Sequence, residues 1–264
     1  MLLAIDVGNT GVKLGVFDGD KLRASWRMAT SLSRMGDEYA SLLLTLLEHQ
    51  GLSHRDIESV ALGSVVPPLV GTLKEMFQRY FEITPFVVEA GVKTGVRIRM
   101  DNPKEVGADR IINAAAARIL YGAPAIIVDL GTATTFDVLS GEGDYIGGCI
   151  APGIVTGAEA LFARASKLPR VELTRPKRAI GSNTVNAIQS GIIFGYVGLI
   201  EGIVSRIRAE MGGESRVIAT GGFAELMAKE TSTIDIVDTD LTLRGLRLIY
   251  LMNKTKADND NASL

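Results

Sequence analysis

Leu3-Ala-Ile-Asp-Val-Gly-Asn-Thr10 and Ile126-Ile-Val-Asp-Leu-Gly-Thr-Ala133 are two versions of one phrase. Each opens on a short apolar run, closes it with an aspartate, then adds a glycine and a hydroxyl-bearing turn. A second apolar run follows in both cases, Val12–Phe17 in the first and Thr134–Leu139 in the second. Further along, Val60-Ala-Leu-Gly-Ser-Val-Val66 is echoed by Val217-Ile-Ala-Thr-Gly-Gly-Phe223. Two motifs repeated in the same order predict a duplicated chain with halves at 1–115 and 116–255. The polar end, 256–264, has no periodicity and reads as a disordered tail. The length of 264 residues fits this, at about 150 residues per domain.

The segments between these phrases carry helical periodicity: Tyr39–Gln50, Leu69–Phe81, Ala108–Tyr121, Val155–Ala165, Val185–Met211 and Leu241–Asn253. Short apolar strands alternating with helices predict an α/β fold. Ala125-Ile-Ile-Val128 and Arg216-Val-Ile-Ala219 lack polar alternation, as strands buried on both faces do. Within Val185–Met211, glycines 191, 195, 198 and 202 fall on one helical face. Each weakens the helix by about 1 kcal/mol relative to alanine, so that face is expected to pack closely on another helix, in this chain or in a second subunit.

Composition narrows the function. Lys and Arg total 28 against 30 Asp and Glu, and no basic stripe is present; this disfavours nucleic-acid binding. One cysteine, Cys149, and two histidines make neither a disulfide framework nor a zinc site. Cys149 reads as a small buried residue. The apolar stretch 187–204 contains Gln189, Ser190 and Glu201 and reads as a buried helix, with no membrane role expected. A cytoplasmic location is expected. P-loop, zincin and nucleophile-elbow motifs do not occur.

The repeated turns suit phosphate chemistry. In Asp6-Val-Gly-Asn-Thr-Gly-Val-Lys13, a strand delivers a carboxylate to a turn rich in backbone N–H groups, which suits an anion and its cation. An ordinary hairpin uses the same residues. Asp129-Leu-Gly-Thr-Ala-Thr-Thr-Phe-Asp137 adds three threonine hydroxyls, and two such turns facing one another would grip a polyphosphate. The pair Gly221-Gly222 permits close approach by a nucleoside, though a tight turn has the same need. Gly107-Ala-Asp-Arg110 opens a helix. There Asp109 is either a base for a substrate hydroxyl, with Arg110 for an anionic group, or a routine helix-dipole partner. Gly147-Gly-Cys-Ile-Ala-Pro-Gly153 ends at a helix start expected to line the phosphate site.

Six motifs in order resemble the type III pantothenate kinase family: Asp6-x-Gly-Asn-Thr10, Gly107-Ala-Asp-Arg110, Asp129-Leu-Gly-Thr-Ala-Thr134, Gly147–Gly153, Gly181-Ser-Asn-Thr184 and Thr220-Gly-Gly222. The resemblance spans about residues 2–250. It implies two ribonuclease-H-like domains of the actin, Hsp70 and sugar-kinase superfold around a nucleotide cleft, and ATP-dependent phosphorylation of pantothenate in coenzyme A biosynthesis. By the same resemblance Asp6, Val7, Gly8, Asn9, Thr10, Gly11, Val12 and Lys13 bind ATP phosphates, joined by Thr132, with Gly221 and Gly222 at the nucleoside. Asp6 organises magnesium, directly or through water, and Asp129 holds potassium or ammonium. Gly107, Ala108, Asp109 and Arg110 bind pantothenate, Asp109 accepting the proton, and Thr184 completes the pocket from the partner subunit of a homodimer. Met100 stands where tyrosine is usual and Gly11 where asparagine is common, which bears on substrate affinity. The competing expectations are a non-catalytic nucleotide-binding regulator of the same fold and a kinase for another small hydroxy compound.

Overall fold

The computed structural model describes the backbone of residues 1–261 and side chains through Lys254. It resolves into two compact units, Met1–Arg97 with Asp101–Ala116 and Leu241–Leu264, and Ile98–Met100 with Ala117–Asp240.

The first unit contains β1 (Leu2–Val7), β2 (Gly11–Asp18), β3 (Lys21–Ala29), α1 (Gly36–His49), β4 (Ser59–Ser64), α2 (Pro67–Phe81) and β5 (Phe86–Val87). It also holds most of α3 (Ala108–Tyr121) and the final helix, α7 (Leu241–Asn261). The sheet order is β3-β2-β1-β4-β5, with β1 antiparallel to β2 and parallel to β4. Alternate residues of β1 feed opposite faces, as the two-residue strand period requires. Leu3, Ile5 and Val7 pack with Tyr39, Leu43 and Leu47 of α1 and Leu73 and Phe77 of α2. Leu2 and Ala4 join a second layer with Ile112 of α3 and Leu243, Leu246 and Ile249 of α7. The α3–α7 contact is close enough that a Cβ on Gly245 would collide with the carbonyl oxygen of Ile112. Beside it, the buried Thr242 hydroxyl donates to Asn113 Oδ1 at 2.8 Å.

The second unit contains β6 (Ala125–Leu130), β7 (Ala133–Leu139), β8 (Tyr145–Pro152), α4 (Ile154–Arg164), α5 (Thr184–Met211), β9 (Arg216–Gly221), α6 (Ala224–Ala228) and β10 (Ile236–Val237). Its sheet runs β8-β7-β6-β9-β10, the same order and the same strand senses as the first. The register repeats as well. Asp6 lies opposite Lys13 and Gly63, and Asp129 lies opposite Thr135 and Thr220. Both expected two-face-buried strands are so: Ala125–Val128 and Val217–Ala219 are fully buried.

Several boundaries differ from the sequence expectation. The chain from Leu241 onward packs with the first unit and not with the half that precedes it, because its Leu243-Leu246-Ile249 stripe covers β1 and β4. Of the expected tail, 256–261 continue the α7 backbone and 262–264 lie outside the described residues. α5 buries Ile193, Val197, Ile200 and Val204 against the second sheet, but it is not buried all round. Gly191, Gly195 and Gly198 are exposed, and a Cβ at any of them would meet no atom within 4 Å among the described residues. Among the described residues, the glycine face therefore packs on no helix of its own chain. Its length and composition alone would also suit a membrane span. Cys149 is only half-buried.

Candidate active site

The first acidic hairpin is built by β1 and β2. Gly8 N–H donates to Gly11 O at 3.0 Å, closing the turn, and Thr30 braces it from β3's end through Oγ1 to Gly8 O (2.6 Å) and N–H to Thr10 O (3.1 Å). Asn9 and Thr10 are exposed at the tip, whereas Val7 and Val12 are core residues. Of the loop Asp6–Lys13, therefore, the two valines offer a ligand only backbone. Gly8 is needed for closeness, since a Cβ there would lie 3.1 Å from Gly11 O.

In the same unit Asp109 sits in the first turn of α3. Its Oδ1 accepts the Arg110 backbone N–H at 2.8 Å, and a Cβ on Gly107 would lie 2.6 Å from that same oxygen. Glycine at 107 thus lets the carboxylate fold over the helix start, where the dipole favours its negative charge. Asp109 and Arg110 both remain half-exposed.

The second acidic hairpin, between β6 and β7, is shorter; Gly131 N–H donates to Ala133 O at 3.1 Å. Only one of its three threonines is open to a ligand. Thr132 is exposed at the turn's face, and its carbonyl accepts the Thr156 hydroxyl from α4's first turn. Thr134 is fully buried, and Thr135 donates to Asp137 Oδ2 at 3.1 Å. Asp137 itself is fully buried and accepts the Tyr145 hydroxyl at 2.6 Å, so that second aspartate of the motif is structural.

Asp129 lies in a tight cradle. Gly221 has φ +92°, a backbone conformation that suits glycine, and a Cβ there would lie 2.7 Å from Asp129 Oδ1. Its close approach is thus to β6 of its own chain, and of the glycine pair only Gly222 is exposed. Opposite Asp129 in register, Thr220 Oγ1 is buried with no hydrogen-bond partner among the described residues. A buried, unpaired hydroxyl costs about 1–3 kcal/mol, so Thr220 Oγ1 is an oxygen left without a partner beside Asp129 in the register. Thr220 was legible in the sequence only as a flank of the glycine pair. Among the described residues, no cluster of three or more His, Cys, Asp or Glu suited to a metal occurs.

The Gly147–Gly153 segment is strand β8 leading into α4, so it is a strand and a helix start together. Gly148 is required because any side chain would strike the Phe136 carbonyl. Thr184 is exposed at the first turn of α5, behind the N-cap Asn183, whose Oδ1 accepts from Asn186 N–H at 2.9 Å. With Leu161, Leu168, Ser182 and Ile188 it lines an open groove of about 670 Å³. Met100 belongs to the segment Ile98–Met100, which is tied to β8 by an Ile98–Tyr145 bridge and the Arg99–Asp144 ion pair at 2.5 Å.

The β3-β2-β1-β4-β5 sheet occurs twice, each copy carrying an acidic residue near the end of its first strand, which defines a duplicated mixed α/β fold. Solved structures agree at the level of fold. One described as a Baf family transcriptional activator from Campylobacter jejuni aligns with TM-score 0.60 and 19% identity, covering 96% of this chain and 99% of that one. The activator of 2-hydroxyisocaproyl-CoA dehydratase from Clostridium difficile, with bound ADPNP, aligns at 0.53 and 14%, covering 98% and 97%. The family model for type III pantothenate kinase matches residues 2–206. Type III pantothenate kinases from Dehalococcoides mccartyi and Halalkalibacterium halodurans are 58% and 51% identical over 253 residues. These matches cover 96% of this chain and 96% and 100% of the relatives. The chain belongs to the type III pantothenate kinase family.

Proposed function

We propose that the protein transfers the γ-phosphoryl group of ATP to the primary hydroxyl of pantothenate, giving 4'-phosphopantothenate at the first step of coenzyme A biosynthesis. Family membership carries the activity. The assignment of residues rests on the repeated register that puts Asp6 and Asp129 at equivalent strand ends.

In this reading the backbone N–H groups of the Asp6–Lys13 turn, with Lys13 and Thr132, hold the triphosphate, and exposed Gly222 beside Gly221 takes the nucleoside. Asp109 accepts the proton of the attacking hydroxyl, and Arg110 pairs with an anionic group of the substrate. Phosphoryl transfer needs mainly positioning and charge neutralisation, which fits a set dominated by backbone donors and carboxylates. Asp6 would organise Mg²⁺. Asp129 and the unpaired Thr220 hydroxyl would hold potassium or ammonium, and these cations supply positive charge against the transferring group.

The open glycine face of α5 supports a homodimer, since exposed glycines in a long helix are otherwise destabilising. The partner subunit's Thr184 would then complete the pantothenate pocket. A cytoplasmic protein with no membrane or nucleic-acid partner fits the near-neutral charge and the single cysteine. The deciding experiment is a coupled ATP assay with pantothenate, run in sodium and then in potassium. Turnover dependent on pantothenate and raised by potassium is expected. ATP binding without turnover in either salt would overturn the proposal in favour of a nucleotide-binding regulator.

A further inference from the structure

We propose that Tyr196 is a positioning residue for the second phosphate turn, acting on Thr132 through Gly153, the N-cap of α4. The proposal rests on the reading that Thr132 contacts ATP. Tyr196 reaches from α5 and packs its ring, partly buried, against the core of the second unit. Its hydroxyl lies 3.0 Å from Pro152 O and 2.9 Å from Gly153 O, donating at the junction where β8 becomes α4. Gly153 faces the other way onto the turn. Its N–H donates to Thr132 O at 3.1 Å, and the Thr156 hydroxyl donates to the same oxygen at 2.7 Å. A side chain at 153 would strike the carbonyls of both Gly131 and Thr132, so the turn rests on Gly153 without slack.

At Gly153 the hydroxyl is not needed to satisfy an orphaned carbonyl. Gly153 O already accepts the helical hydrogen bond from Gly157 N–H at 2.8 Å. Nor is it there to fill the core, which a phenylalanine ring would fill equally well. What remains is location: a second, sideways bond that fixes Gly153 along the direction in which it supports Thr132. The helix makes room for this bond, because a Cβ on Gly157 would stand 2.7 Å from the tyrosine oxygen. Burial holds the phenol above its ordinary pKa, so the group stays a donor throughout the neutral range.

The test is steady-state kinetics on the full chain with ATP and pantothenate varied separately, beside thermal unfolding. Tyr196→Phe is expected to raise KM for ATP roughly three- to tenfold, the range a single hydrogen bond supplies, with KM for pantothenate unchanged. Gly157→Ala, which pushes the hydroxyl aside, is expected to raise KM for ATP similarly. The double variant should be no worse than Tyr196→Phe alone, since the colliding oxygen is gone. A Tyr196→Phe protein with both KM values unchanged, or with both shifted together alongside a lowered Tm, overturns the proposal. Thr132→Ala separates the two readings. If it leaves KM for ATP unchanged, the ATP role of Thr132 fails and this proposal fails with it. If it raises KM for ATP and Tyr196→Phe does not, only the role of Tyr196 fails.

Discussion

Gly221 and Asp129 touch in a way that admits no side chain at 221: a Cβ there would lie 2.7 Å from the carboxylate oxygen, on a backbone at φ +92°. Gly221→Ala is therefore expected to displace Asp129 and to strain the backbone. In the proposed cation site Asp129 is a ligand, and disturbing what orients a metal ligand typically costs 10–100-fold in affinity, so half-activation by potassium should move up by about tenfold or more. A potassium titration of the initial rate at saturating ATP measures this, and an unchanged half-activation refutes it.

Asp109→Asn keeps the shape of the side chain and its contact with the Arg110 N–H while removing its basicity. General-base catalysis contributes about 10²–10⁴-fold. The variant should lose kcat by that factor and keep its affinity for an ATP analogue. Undiminished kcat would remove Asp109 from the base role.

Gly195→Leu adds a side chain where no atom lies within 4 Å and replaces a poor helix former with a good one, so Tm of the isolated subunit should rise slightly. Self-association should weaken by about tenfold or more, equivalent to roughly 1.4 kcal/mol of steric cost at the interface. Sedimentation equilibrium at several concentrations reads the effect. A variant that associates like the parent protein would place the interface elsewhere.

Gly245→Ala should act on stability alone. Its Cβ would meet the Ile112 backbone, which cannot yield as a flexible side chain can. Overpacking of this kind costs about 1–3 kcal/mol, which lowers Tm by roughly 3–10 °C for a chain of this size. Differential scanning calorimetry checks it, and an unshifted Tm would mean that α7 docks more loosely on α3 than described.

The central strands were legible because they are short and apolar: β1, β2, β4, β6, β7 and β9 all fall where the apolar runs do. Ala108–Tyr121 coincides with α3 end to end. What escaped lies at sheet edges. β3 buries only every other residue, with Lys21, Arg23, Ser25 and Arg27 on its exposed face, so its hydrophobic signal is half strength. β8 is interrupted by Gly147, whose φ is +123°, and by Gly148, where a Cβ would strike the Phe136 carbonyl of β7; neither is there for a strand preference. The threonine-rich turn looked uniformly open because sequence spacing does not tell which hydroxyl faces the core; Thr134 does. Residues that act by propping backbone, such as Tyr196, leave no motif at all.

Because α7 belongs to the unit that begins at Met1, that unit is discontinuous, with the second inserted between its parts. During synthesis the earliest strands must wait for residues 241 onward before one side of their sheet can be covered. Folding of the amino-terminal portion thus closes last, over contacts of the greatest separation along the chain, a slow class of event. A truncation ahead of Leu241 would strip the α7 part of the layer over Leu2, Ala4 and Phe17, so trimming this protein from its carboxyl end should harm its beginning first.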